Sequence, residues 1–226
     1  KEVESTYSDA NLVSHWKMNG NALDSQEANN GTVYGASIVP GHEGLGYSFD
    51  GVNDYVSITN LPSINLTGQI SVSYWMKENN IIAGTRYVLH KAPSGQGGYS
   101  FFTYSNYPYF NVFNSSGSPC QATRSIAFGT NIWRHFVGVY DGTQTLLYQD
   151  GVEIDTTDCG ADFVFAGNDY NLVISSYYTG GAGFFNGTID DIRIYNVSLS
   201  PAEVRRLYNE SITTHSKKVY GSGEAI

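Results

Sequence analysis

The chain has 226 residues, 41% of them hydrophobic and 14% aromatic, with only 15% charged and a net charge of -9. That is enough apolar mass for a sizeable core, in one β-sandwich of ordinary length. The acidity and the lack of any basic run argue against nucleic acid as a partner, and no apolar run reaches the roughly 20 residues that span a bilayer.

Strand signals alternate with turn signals along the chain, the pattern of an all-β sandwich. Tyr47–Ile58 reads as strand, Asp50-Gly51 turn, strand. Ile70–Lys77 sets Ile70, Val72, Tyr74 and Met76 against Ser71, Ser73 and Trp75. Trp133–Tyr140 sets His135, Val137 and Val139 against Phe136, Gly138 and Tyr140. Asp141-Gly142 and Asp150-Gly151 then mark two hairpins, into Thr145–Gln149 and Val152–Asp155, because type I′ turns require positive φ. Leu172–Ser176 and Thr188–Tyr195 complete the strands. One short helix follows at Pro201–Tyr208, with Ser200 as N-cap, Pro201 at the first helical position and Glu203 closing a capping box. Val204, Leu207 and Tyr208 give it an apolar face. Residues 1–10 and 211–226 are polar and core-poor, and read as tails that need a neighbour to order them.

Cys120 and Cys159 lack metal-ligand spacing. A disulfide between them would add roughly 3–4 kcal/mol and imply an oxidising compartment; two buried thiols are the alternative. Asn-X-Ser/Thr sequons stand at Asn30, Asn65, Asn114, Asn186, Asn196 and Asn209, more than the about three or four expected by chance. A start at Lys1 without Met or a signal-like segment fits a processed precursor or an excised fragment. These features point to a secreted or cell-surface protein.

Five segments taken in order resemble one family: residues 15–36 (HWKMNGNALDSQEANNGTVYGA), 49–58 (FDGVNDYVSI), 70–77 (ISVSYWMK), 133–157 and 187–208 (GTIDDIRIYNVSLSPAEVRRLY). They resemble laminin-G-like, concanavalin-A-like jelly-roll domains of surface proteins, over residues 11–210. The resemblance implies two packed antiparallel sheets, a carbohydrate- or protein-binding role, and often one Ca²⁺. Asp190 is then the expected metal ligand, in phase with inward Ile192 and Ile194, helped by Asp24 or by Asp50 and the Gly51 turn; Asp191 is expected to face solvent. Ca²⁺ seeks six to eight such oxygens. The alternative is that Asp190 accepts backbone N–H bonds or pairs with an arginine.

Glucanase relatives carry E-x-D-x-x-E on one strand, which Glu153, Asp155 and Asp158 match only in part, and the same stretch reads equally as a hairpin. The histidines show no ligand spacing. Aromatics crowd Tyr99–Phe113, where Tyr104, Tyr107 and Tyr109 exceed what core alternation requires, and recur at Tyr177 and Tyr178 beside a Gly-rich loop. Tyrosine faces suit sugars and protein partners, so these five are the candidate ligand residues. The leading expectation is a non-catalytic structural or adhesive surface protein that self-assembles, as an oligomer or polymer, through its tails. A lectin-like module for surface glycans or proteins is the alternative, and a glycoside hydrolase the weaker one.

Overall fold

The computed structural model describes residues 11–81, 83–93, 95–124, 126–179 and 181–220, with the side chains of 213–220 left aside. Residues 1–10 and 221–226, on which much of the assembly expectation rests, lie outside the described residues.

Among the described residues fifteen strands form two antiparallel sheets. Sheet A contains β1 (Leu12–Trp16), β3 (Ser37–Pro40), β4 (Leu45–Asp50), β6 (Ile70–Glu78), β11 (Arg134–Tyr140), β12 (Gln144–Gln149), β13 (Val152–Asp158) and β15 (Asn186–Tyr195). Its order is β13-β12-β11-β6-β15-β4-β3, with β1 also paired to β15. Sheet B contains β2 (Gly31–Tyr34), β5 (Tyr55–Ile58), β7 (Thr85–Lys91), β8 (Gly98–Tyr104), β9 (Tyr107–Phe113), β10 (Pro119–Thr123) and β14 (Leu172–Ile174), in the order β10-β9-β8-β7-β14-β5-β2. This is the all-β sandwich that the alternation predicts, and the jelly roll that the resemblance implies.

The inner faces interdigitate as alternation requires. Ile70, Val72, Tyr74 and Met76 of β6 and Phe136 of β11 meet Phe101 of β8 and Phe110 of β9 in one buried cluster. Tyr74 stands edge-on to Phe101 at 4.9 Å, an arrangement that favours the aromatic quadrupoles. The Asp150-Gly151 hairpin has both central residues at positive φ, 52° and 78°, as expected of its type. At Asp50-Gly51, by contrast, the chain leaves sheet A for sheet B, so that turn is a crossover rather than a hairpin.

Helix α1 (Pro201–Tyr220) packs on the outer face of sheet A. Its capping box is formed: the Ser200 N–H donates to Glu203 Oε2 at 2.6 Å and the Glu203 N–H to Ser200 Oγ at 3.4 Å. Val204 and Leu207 pack against Val137, Val139, Tyr148 and Tyr195, the outward residues of β11, β12 and β15. The helix runs twelve residues past its expected end at Tyr208. Apolar periodicity fades there, but no Gly or Pro stops the turn, and an Arg206–Glu210 pair at 2.7 Å supports the next one. Part of the segment read as a tail is therefore helical.

β15 is the hub of sheet A, and it changes partner midway. Asn186–Ile189 pair with β4, whereas Ile192–Tyr195 pair with β1. Between them the register against β6 slips and Asp191 adopts φ 50°. This is a β-bulge, which places two successive residues where one would fit. It corrects two expectations. Asp190 leaves the inward phase of Ile189, Ile192 and Ile194 and lies on the outer face, opposite Trp75. Asp191 is not solvated: it is only 7% exposed.

Candidate ligand-binding face

The predicted metal residues are spent separately. Asp24 accepts the N–H groups of His15 (2.8 Å), Gln26 (3.0 Å) and Asn29 (3.0 Å). Asp50 accepts those of Val52 and Asn53 beside Gly51. Asp190 is fully buried; its Oδ2 accepts the Glu43 N–H at 2.9 Å, while its Oδ1 has no partner. Gly41 must be glycine for this contact, since a Cβ there would lie 2.6 Å from that Oδ2. Burial, with Asp191 adjacent, raises the Asp190 pKa to about 7. Asp191 pairs with His15 Nε2 at 2.5 Å and Arg193 Nη2 at 3.1 Å, and these two partners hold its carboxyl at about 2 against desolvation, the largest and opposing effect. Among the described residues no group of three or more His, Cys, Asp or Glu side chains is arranged as a ligand set. Asp190 accepts a backbone N–H, as in the backbone-bonded alternative.

Glu153 is exposed and accepts the Thr156 hydroxyl; Asp155 accepts the Thr123 N–H at 2.8 Å, and a register slip separates the two along β13. Cys120 and Cys159 are disulfide-bonded with Cα atoms 5.2 Å apart, tying β10 to the chain just after β13. The sequon side chains differ in use. Asn186 Nδ2 donates to the Asp50 carbonyl at 2.9 Å, and the Oδ1 atoms of Asn30, Asn65 and Asn114 each accept backbone N–H groups. Asn196 and Asn209 are exposed.

The outer face of sheet B is built differently. In β8 and β9 both faces are aromatic: Tyr99, Phe101, Phe110 and Val112 point inward, so Phe102, Tyr104, Tyr107, Tyr109 and Phe113 point outward. Strand β7 adds two residues to this face by a bulge. Tyr87 pairs with Phe102 and His90 with Ser100, three residues apart on one strand but two on the other, with Val88 and Leu89 both turned into the core. Two rows result. Tyr87, Phe102, Tyr109 and Thr123 form one across β7 to β10; His90, Ser100, Asn111 and Gln121 form the other.

The first row is a continuous aromatic strip. Tyr177 lies 5.1 Å from Tyr87, Tyr87 5.6 Å from Phe102, and Phe102 is stacked on Tyr109 at 4.7 Å and 7°. Burial, with the neighbouring Tyr177 hydroxyl, pushes the Tyr87 phenol up to about 12. The second row is polar and starved of partners. His90, Ser100 and Asn111 are 4%, 1% and 4% exposed, yet neither His90 nitrogen, nor Ser100 Oγ, nor Asn111 Oδ1 has a hydrogen-bond partner of normal geometry. Burial drives the His90 pKa down to about 3, opposed by the Ala92 backbone, so the ring is a neutral donor and acceptor at physiological pH. A buried unmade hydrogen bond costs about 1–3 kcal/mol, and a cluster of them calls for an explanation.

Grooves open above these rows. One of about 630 Å³ runs between His90, Tyr170, Tyr177 and Tyr178; a second, of about 340 Å³, shares His90 and Tyr177 and reaches Ser100, Phe102 and Asn111. A third, of about 740 Å³, lies at the far edge between Tyr104, Tyr107, Tyr109, Arg124 and Asp155. The wall bearing Tyr170 is fixed from below. Buried Lys91 donates to Asn60 Oδ1, Asn168 O and Tyr170 O at 2.8–2.9 Å, and Asn168 Nδ2 returns to the Lys91 and Gly97 carbonyls. Desolvation pulls the Lys91 pKa down to about 8 even with Asp169 nearby.

The five tyrosines read from sequence thus occupy two grooves, joined through Tyr87 and Phe102. His90, Ser100 and Asn111 were not among the expected ligand residues. Ser100 and Asn111 share outward parity with Phe102 and Tyr109, which was their available signal; the bulge at Val88 hides His90.

No helix among the described residues is long and apolar enough to cross a membrane. No curated protein matches the chain in sequence. Solved structures share its fold. The binding domain of Paraclostridial Mosquitocidal Protein 1 superposes with a TM-score of 0.74 at 17% identity, covering 89% of this chain and 52% of that one. Domain 4 of AbnA, a GH43 extracellular arabinanase from Geobacillus stearothermophilus, solved with arabinotriose, superposes at 0.72 and 19%, covering 87% and 98%. The binding domain of botulinum neurotoxin DC, solved with rat synaptotagmin II, superposes at 0.73 and 14%, covering 90% and 52%. The chain therefore spans about half of the toxin binding domains and nearly all of the arabinanase domain. A sequence profile described as the concanavalin A-like lectin/glucanases superfamily matches residues 50–205, and the chain belongs to that superfamily.

Proposed function

We propose that this chain is a secreted or surface recognition module, without catalytic activity of its own, that binds saccharide along the outer face of sheet B. One observation carries the reading: a strip of stacked aromatics runs beside a row of buried polar atoms that lack partners, and grooves open over both. Sugar rings present apolar faces for stacking and hydroxyls for hydrogen bonds, so a single ligand satisfies both rows. The fold likeness to an arabinanase domain solved with an arabinose oligomer supports a sugar ligand. The likeness to a toxin domain solved with synaptotagmin supports a protein ligand, but ring faces set beside buried polar atoms favour the sugar. Self-assembly through the tails receives no support from the described residues, and the binding-module reading replaces it as the leading one.

Glycan-array screening followed by calorimetry tests this. Wild-type protein should bind, and Tyr177→Ala and Tyr109→Ala should each weaken the best ligand by about tenfold with melting temperatures little changed, the scale of one lost aromatic anchor. Binding that survives both substitutions would move the site off this face.

A further inference from the structure

The far-edge groove differs from the other two in carrying a guanidinium with no carboxylate within ion-pair distance among the described residues. Arg124 follows β10 and leans toward sheet A, where its Nη1 donates to Gln149 Oε1 at 2.6 Å. Gln149 is itself held, its Nε2 donating to Asp150 Oδ2 at 3.2 Å, and Asp150 is occupied by Arg134 at 3.0 Å and by the His135 N–H. Arg124 is thus positioned by a neutral amide rather than by a carboxylate. Among the described residues no acidic side chain stands within ion-pair distance of it. Asp155, the one acidic side chain lining the groove, is engaged through Oδ2 by the Thr123 N–H at 2.8 Å. In a chain of net charge -9, a fixed and unpaired cation between Tyr104, Tyr107 and Tyr109 is an unusual investment.

With Nη1 taken, the Nε–Nη2 edge of Arg124 remains: two parallel donors, the fork that matches a carboxylate. The tyrosines beside it offer ring faces to the sugar that carries the acid. We infer that this groove is an anion subsite of the saccharide face, and that the ligand bears an acidic sugar whose carboxylate pairs with Arg124. This rests on the saccharide reading above and specifies the chemical class of its ligand.

The test uses an array of matched glycans sharing a neutral core, with a carboxylated sugar, a sulfate ester, or neither, read for wild type, R124Q and R124K. Wild type should prefer the carboxylated member, and R124Q should lose about tenfold on it, the size of a lost charge-assisted pair. R124K should lose less, because a point charge replaces a fork. The neutral core should bind all three proteins alike through the Tyr177 groove. Should R124Q melt early, salt titration of wild type decides instead: affinity for the acidic glycan must fall with ionic strength while the neutral core stays constant. Equal affinity for acidic and neutral members, or R124Q binding unchanged, overturns the anion subsite and leaves the saccharide face standing. Preference for sulfate alone overturns the carboxylate assignment. Absence of any glycan binding overturns both readings.

Discussion

The two outer faces of this sandwich use the same device to opposite ends. Each carries a bulge that turns residues against the simple alternation of its strand. In β15 the bulge sets Asp190 and Asp191 on the outer face of sheet A, beside β1 and α1, where Asp191 is matched by His15 and Arg193. In β7 the bulge sets Tyr87 and His90 on the outer face of sheet B, where neither His90 nitrogen has a hydrogen-bond partner of normal geometry. The first face is largely closed by a helix and pairs Asp191 with two side chains, although Asp190 Oδ1 beneath it lacks a partner; the second is left open, with a whole row of such atoms. A buried polar group with its partner contributes to folding, whereas one without is held at a cost to folding that a ligand can recover.

That contrast can be broken by substitution. The largest effect is expected on the closed face. Asp191→Asn keeps a residue that tolerates positive φ but removes the charge shared by His15 and Arg193, and should cost about 3 kcal/mol in denaturant unfolding. A loss below half of that would show that solvent already satisfies the pair. On the open face His90→Leu should do the reverse. Affinity for the best glycan falls by about tenfold or more, while the melting temperature holds or rises, because an apolar side chain removes unpartnered atoms. A clear drop in stability would mean that His90 is a structural residue after all.

The smallest effect sharpens the closed face itself. The raised pKa of Asp190 means that the folded state holds its proton more tightly than the unfolded chain does. Its contribution to stability is therefore full below its ordinary value of 3.8 and is lost as the pH rises through about 7. Asp190→Asn should accordingly gain on wild type in melting temperature as the pH rises from about 4 to about 7. The opposite trend, with wild type ahead at high pH and the lead erased by a chelator, would instead place a calcium ion at Asp190.

Much of the fold was legible because alternation is a local signal. Ile70 to Met76 and Phe136 to Tyr140 point inward where their parity places them, and the Asp-Gly pair at 150–151 turns as its φ values require. Parity fails where the register slips. Nothing in Gly-Thr-Ile-Asp-Asp-Ile-Arg shows that the strand changes partner after Ile189, so Asp190 was assigned inward and Asp191 outward. The aromatic face was half visible: Tyr104, Tyr107, Tyr109, Tyr177 and Tyr178 exceed what a core requires. Their connection through Tyr87 depends on a bulge at Val88 and on the loop that carries Tyr177 back over β7, which are long-range matters of tertiary contact.

The partner change in β15 also bears on how the chain reaches this state. β1 is held in sheet A through its ladder with Ile192–Tyr195, and His15 waits for Asp191 across 176 residues of sequence. The first of the described strands therefore docks on the last. Asp24 and Asn29 reach it early, through the His15 N–H and the Trp16 indole, but its ladder partner comes only with β15, and contacts of such separation are the slow ones in folding. Until then Trp16, which ends fully buried in the core, is left waiting. Its fluorescence should be the late phase of refolding, arriving after the signals of β8 and β9, whose hairpin closes over two residues.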